Sequence, residues 1–327
     1  MKLKLSVLDQ SLARSRSHGA IALQETLQMA KWCEELGYER FWVSEHHAFS
    51  AVAGSAPEVL LAALGAATQS IRLGSGGIML PHYSAYKVAE TFSLLANLYP
   101  NRIDLGVGRA PGADMSTARA LATDGKPKFE KFPQLVEKLS EYLWQEVTEP
   151  LVSPKPPEDL PLWMLGSSED SAALAAKRGL PYNLAAFINP QASPAFIQYY
   201  KSNFKPSKLC PEPYSVLTMG VFCSDSQEQA QALQLTYDIN FFRFITGQTR
   251  GAFLTPQEAM LYPISPQLQA FMNERQSLRA VGTQQQVKER ILDIAETFGV
   301  DEVMAVSNMY YLEDRKRSFE LLKQAFD

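Results

Sequence analysis

The chain has 327 residues, 46% hydrophobic and 20% charged, enough for one large α/β barrel or two average domains. Its net charge of -4 argues against a surface built for nucleic acid or an anionic membrane. The three cysteines, Cys33, Cys210 and Cys223, lie far apart, which excludes a C-x-x-C zinc or redox motif and suits a reducing, cytoplasmic setting.

At the start, Leu3, Leu5 and Val7 alternate with Lys2, Lys4 and Ser6, the pattern of a strand and not of a signal peptide. Leu23, Leu27, Ala30, Cys33 and Leu36 then recur at helical spacing, and Gly37 supplies a stop. A second strand is predicted at 40–44. Ser55-x-x-Glu58 predicts a capping box that opens a helix through Thr68. The window 51–68 is apolar but contains Pro57 and Glu58, and is too weakly hydrophobic to span a bilayer. A third strand is expected over 71–80, with a helix over 86–98. Further strands are predicted at 103–106, 162–165, 183–187, 214–222 and 302–306. Helices are predicted at 129–146, 169–178, 194–204, 227–244, 284–298 and 314–326. Strands that each lead into a helix favour a closed (β/α)8 TIM barrel over a doubly wound sheet, with residues 1–327 as one domain. The stretch 150–161 carries five prolines and reads as an extended loop. Residues 246–279 form a long insertion between strands seven and eight, with the length and composition of a hinged lid.

In a barrel of this kind chemistry gathers on the loops that follow the strands. His18, His46, His47 and His82, all four histidines of the chain, fall on that rim. A lone histidine is ordinarily a hydrogen-bonded loop or core residue; four on one rim point to a site. His46 and His47 are adjacent, so a continuing strand would aim them to opposite faces. With no Asp/Glu cluster nearby, that spacing argues against a metal site. "LGSGGIML" places Gly74, Gly76 and Gly77 in strand three, as a bulge or a flat ligand on the backbone requires. "IDLGVGRAPG" nearly matches a dinucleotide fingerprint, but its last glycine comes one residue too late. It reads as a tight turn, or as an anion site neutralised by Arg109. "LGSSEDSAALAAKRG" opens a helix with Ser167, Ser168 and Ser171. Either Ser167 caps the helix with Asp170 at the third position, or the hydroxyls bind an anion.

"GYERFWVSEHH", "AGSAPEVLLAALGAAT", "IRLGSGGIMLPHYSAYKVAE" and "NRIDLGVGRAPG" resemble the bacterial luciferase-like flavin monooxygenase family, densest over residues 36–112 and extending over nearly the whole chain. The resemblance implies a barrel that binds flavin mononucleotide (FMN), delivered reduced by a separate flavin reductase, and commonly a homodimer. It implies that His46, beside Glu45 and His47, is an acid/base group near the flavin; an imidazole ordinarily titrates near neutral pH, which suits that role. It implies that Gly76 and Gly77 pack against the isoalloxazine ring, often through a non-proline cis peptide. Arg109, Ser168 and Ser171 match the residues that hold the phosphate. Light-emitting members carry a cysteine at the position of Gly108, so oxygenation without light emission is expected. The expected function is a two-component FMN-dependent monooxygenase that uses dioxygen on a small, largely apolar organic substrate. The alternatives are a deazaflavin- or NAD(P)H-dependent hydride-transfer oxidoreductase and a non-catalytic flavin-binding protein. No motif names the substrate.

Overall fold

The computed structural model describes residues 3–122, 124–146, 149–248 and 252–327. Its strands are β1 (Lys4–Asp9), β2 (Arg40–Val43), β3 (Arg72–Ser75), β4 (Ile78–Met79), β5 (Ile103–Gly108), β6 (Leu162–Gly166), β7 (Tyr182–Ala185), β8 (Ser215–Cys223), β9 (Arg279–Gly282) and β10 (Glu302–Val306). The barrel runs β1, β2, β3, β5, β6, β7, β8, β10 in parallel pairs and closes where β10 pairs with both β8 and β1. After the cis peptide Gly76–Gly77, β4 continues the position of β3 and pairs with β5. The expected (β/α)8 barrel is thus present.

Burial on both faces explains the apolar runs: every residue of β5 and of β8 is buried. One set of side chains, including Val7, Phe41, Val43 and Leu105, packs outward against the helices. The other set, including Leu8, Trp42, Trp163, Val216 and Met304, fills the barrel. At the N-terminal end the filling turns ionic. Arg40 bonds Glu302 (2.9 Å) and Asp104 (2.8 Å), and Asp104 also takes Arg72 (2.6 Å) and the Trp42 indole N–H (3.1 Å). Ser6 and Tyr214 donate to Glu302, which completes a buried plug. Each charge in it has an opposite partner, the condition under which burial of ions is tolerable.

The structure departs from the sequence reading, or adds to it, at several points. No capping box forms at Ser55. The helix runs Pro57–Ala67 with Ala56 at the cap position, because Pro57 occupies the first turn and needs no acceptor for its missing N–H. A short helix, Met115–Leu121, capped by Asp114, lies in the loop after β5. The insertion has secondary structure of its own. It holds helices Pro256–Met260, opened by a Thr255/Glu258 capping box, and Pro266–Arg275. Its last residue, Arg279, begins β9, which pairs with residues 220–223 of β8. Ala259, Leu268 and Phe271 of the insertion pack with Ile239, and the Phe253 N–H donates to Arg14 O in the loop after β1 (2.7 Å). Cys33, Cys210 and Cys223 are buried free thiols. Among the described residues no helix is long and apolar enough to cross a membrane.

Candidate active site

A cavity of about 690 Å³ opens where the strands end, within the roughly 300–1,000 Å³ of small-molecule and cofactor sites. Its floor is the upper layer of the barrel filling: Leu8, Trp42, Leu165 and Met304, with Asn183 and Thr218 between them. Gly76, Gly77 and Gly108 line one wall. Arg109, Ser168, Asp170 and Ser171 line the cavity where β5 and β6 pass into their loops, and Met115, Phe129 and Ile188 add apolar surface. Met115 and Ile188 are both exposed, as residues awaiting cover would be.

The glycines of strand three answer first to the protein itself. A Cβ on Gly74 would lie 2.4 Å from the Trp42 indole nitrogen, and one on Gly76 2.7 Å from Leu8. A Cβ on Gly77 would meet Leu165 at 2.4 Å and the Gly106 carbonyl at 2.9 Å. These close approaches bring the backbone down onto the barrel filling and so set the height of the cavity wall. Gly108 differs: a Cβ there would touch only Met79, at 3.5 Å.

Arg109 is exposed and has no hydrogen-bond or ion-pair partner among the described residues. A guanidinium without an internal partner, on the wall of a largely apolar cavity, is free to take an anion. Ser168, not Ser167, is the N-cap of the helix Glu169–Arg178. Its partner in the capping box is Ser171, not Asp170: the Ser168 N–H donates to Ser171 Oγ (3.3 Å), and Ser171 Oγ donates to Ser168 O (2.6 Å). Tyr182 Oη stands 3.0 Å from the same hydroxyl. Ser171 therefore holds the turn in shape. All five residues expected to bind the cofactor, Gly76, Gly77, Arg109, Ser168 and Ser171, line this one cavity.

Glu45, His46 and His47 leave β2 at the same end of the barrel but are not among the residues that line the cavity. Glu45 is fully buried and works as a brace. Its carboxylate accepts from the Met79 N–H (2.9 Å) and the Tyr83 hydroxyl (2.7 Å), and lies 2.8 Å from His47 Nε2. Burial and the adjacent carboxylate push the Tyr83 hydroxyl up, which keeps it a donor. The His47 N–H donates to Gly112 O (2.9 Å), tying the pair to the loop that carries Arg109. His46 is partly buried, with Nδ1 3.0 Å from Ser44 Oγ and its ring 6.1 Å from that of Phe49. Burial pushes its imidazole down to about 4, against the opposing pull of Glu45. His46 is thus neutral at physiological pH, which corrects the expectation of titration near neutrality. His82 Nε2 donates to Pro111 O (2.8 Å), and His18 pairs with Ser15. No cluster of metal-ligating side chains occurs among the described residues.

Asn183 and Thr218 were not legible as site residues. Each is a single polar residue in an apolar strand, and only the barrel's inside–outside alternation turns it toward the cavity. Tyr83 was likewise missed, since nothing in sequence pairs it with Glu45.

A barrel whose strand ends surround a largely apolar cavity with a free arginine is the scaffold of an enzyme that acts on a small molecule. The chain belongs to the luciferase-like monooxygenase family, whose model matches residues 1–302, and so to the oxidoreductases that incorporate molecular oxygen. It is 40% identical to the uncharacterized protein YwcH of Bacillus subtilis, over 99% of each chain. It is 33% identical to the N-acetyl-S-alkylcysteine monooxygenase of Bacillus subtilis, over 99% of this chain and 98% of that one. The crystal structure of apo-MsnO8 superposes with a TM-score of 0.92 at 36% identity, covering 99% of this chain and 98% of that one. At 17% identity and TM-score 0.75 the fold matches the oxygenating constituent of 3,6-diketocamphane monooxygenase in complex with FMN, over 99% of this chain and 98% of that one. At 14% and 0.64 it matches an F420-dependent secondary alcohol dehydrogenase, over the full length of both chains. These last two likenesses show the fold alone.

Proposed function

We propose that this chain is an FMN-dependent monooxygenase, fed with reduced flavin by a separate reductase, that oxidises a small, largely apolar organic molecule with dioxygen. The observation that carries the reading is the unpartnered Arg109 on a cavity otherwise walled by glycine backbone and apolar side chains. A phosphate-bearing cofactor with a flat, mostly apolar ring suits that combination. Arg109 and the Ser168 turn hold the phosphate, while Gly76 and Gly77 present backbone to the ring. The carboxylate of Asp170 on the same lining sets a cost that Arg109 offsets. Reduced FMN, when bound, supplies the electrons that activate dioxygen.

The protein's own part is to bind, to exclude water and to manage one proton. Leu8, Trp42, Leu165 and Met304 keep the floor dry, which limits wasteful loss of reducing power as hydrogen peroxide. His46, hydrogen-bonded to Ser44 at the same end of the barrel but outside the cavity lining, exchanges that proton at its imidazole once flavin is in place. Glu45 and His47 hold β4 and the Arg109 loop in register with it. The insertion is tied to the loop after β1, where the Phe253 N–H donates to Arg14 O, and Phe244, just before it, meets Phe49 edge-on at 5.1 Å. That a relative is named N-acetyl-S-alkylcysteine monooxygenase supports oxidation of a small organic molecule.

The test is to supply the purified protein with FMN, a flavin reductase, NADH and ¹⁸O₂ over a panel of small thioethers, ketones and alkanes. Product carrying one ¹⁸O atom is expected. Turnover that proceeds without oxygen and with F420 in place of FMN would establish hydride transfer instead.

A further inference from the structure

The cavity floor is apolar except at one point, where β7 and β8 lie side by side with Ala185 paired to Thr218. There Asn183 and Thr218 both line the cavity, and both are buried, at 4% and 1% exposure. The Thr218 hydroxyl donates to Asn183 Oδ1 at 2.6 Å, which leaves the amide nitrogen on the side of Met304. The amide nitrogen then has a single partner among the described residues, the Met304 sulfur at 3.6 Å. A thioether is a weak acceptor, and the carboxamide has two N–H groups to place. Reversing the amide would set its oxygen against a thioether sulfur that has no proton to give, so the donor end stays on the side of Met304, itself a residue of the cavity lining. The neighbouring polar group on the floor, the Trp42 indole N–H, is already taken by Asp104. A buried donor this poorly satisfied is costly unless a ligand completes it.

We propose that Asn183, clamped by Thr218, is a positioning residue that donates a hydrogen bond to a carbonyl oxygen on the pyrimidine edge of the bound flavin ring. The inference rests on the flavin reading above. An isoalloxazine ring has one benzenoid edge with no polar atoms and one edge with two carbonyls. Leu8, Leu165 and Met304 suit the first, and among the described residues the carboxamide is the donor that serves the second at this depth. A largely apolar substrate has no equal need of a deep donor. The same edge is present in the deazaflavin F420, so the assignment concerns the ring and not the element at its centre.

The experiment titrates wild type, Asn183→Leu and Thr218→Val with FMN, riboflavin and F420. Leucine keeps the shape of asparagine and removes the donor. Loss of one hydrogen bond should raise the dissociation constants of FMN and riboflavin alike, by about three- to tenfold. The visible absorption band of the bound flavin should shift relative to wild type, which a merely structural residue would not cause. Thr218→Val, isosteric and on a neighbouring strand, should give a smaller loss in the same direction and serves if Asn183→Leu folds poorly. Unchanged flavin affinity and spectrum in both variants, with a raised KM for substrate in the coupled assay, would overturn the assignment and place the donor on the substrate. Wild-type protein that binds none of the three flavins would overturn the flavin reading itself.

Discussion

Replacing Arg109 by alanine removes an exposed guanidinium that has no hydrogen-bond or ion-pair partner among the described residues. The fold should therefore hardly notice: a surface change of this sort moves stability by within about 0.5 kcal/mol. Ligand binding should notice a great deal. A hydrogen bond to a charged group contributes about 1.5–3 kcal/mol, which is roughly a ten- to 150-fold rise in the dissociation constant of FMN. The exposed position favours the low end, because water and salt screen the contact. Asp170 pushes the other way, since the phosphate would then face a carboxylate on the same lining with no cation to offset it. A loss near thirtyfold, about 2 kcal/mol, is the expected balance. The assay is quenching of flavin fluorescence on titration, run in parallel with FMN and with riboflavin, at low and at high salt. Riboflavin lacks the phosphate and should bind the two proteins equally. The wild-type affinity for FMN should fall with added salt and that of the variant should fall less. Equal losses for FMN and riboflavin would refute the phosphate assignment, and so would a variant with unchanged FMN affinity.

Gly106→Ala should be poorly tolerated, because its Cβ would lie 2.2 Å from the Ser75 carbonyl, a backbone atom that cannot swing away. Overpacking of this kind costs typically about 1–3 kcal/mol, readable as a lower thermal midpoint, whereas Gly108→Ala, with only Met79 at 3.5 Å, should unfold like wild type. His46→Ala should lower product formation by about 10²–10⁴-fold while FMN affinity stays the same. With the His46 imidazole pushed down to about 4, product formation should be flat across neutral pH and fall only as pH approaches 4. The sign for stability follows: the folded state resists protonating His46, so stability is full above pH 6.5 and is lost as pH falls from there to about 4. That loss is at most about 3 kcal/mol and should be smaller in His46→Gln; urea unfolding at pH 8 and pH 4.5 compares them, and identical pH dependence would dismiss burial of His46 as its source.

The alternation of strand and helix was readable because each strand is buried on both faces, so β5 and β8 appear as apolar runs between turn residues. The cavity residues of the β5 and β6 loops were readable for a similar reason: glycine, serine and arginine at strand ends carry their chemistry on their face. What depends on contacts across the barrel was not. The glycines of strand three suggested room for a ring, yet Trp42, Leu8 and Leu165 come close enough to require them without any ligand. The brace at Glu45 joins residues 34 and 38 positions apart in the chain. His46 looked like a group that titrates near neutrality, and only its burial says otherwise. Elsewhere local signals were present and misread. Pro57 outweighs Ser55 as the opening of its helix, and Thr255-Pro256 with Glu258 announces a helix inside a stretch read as loop.

The ionic plug of Arg40, Asp104 and Glu302 gives the barrel a shut back door. Among the described residues the cavity opens at the rim formed by the loops, and cofactor, substrate, product and water share that way. In a chamber with a single door, whatever sits deepest goes in first and comes out last. If the ring reaches Asn183 on the floor, flavin has to be seated before the substrate can settle above it, and spent flavin waits for product to clear the way. An order of events usually credited to a signalling device is then imposed by nothing more than a queue.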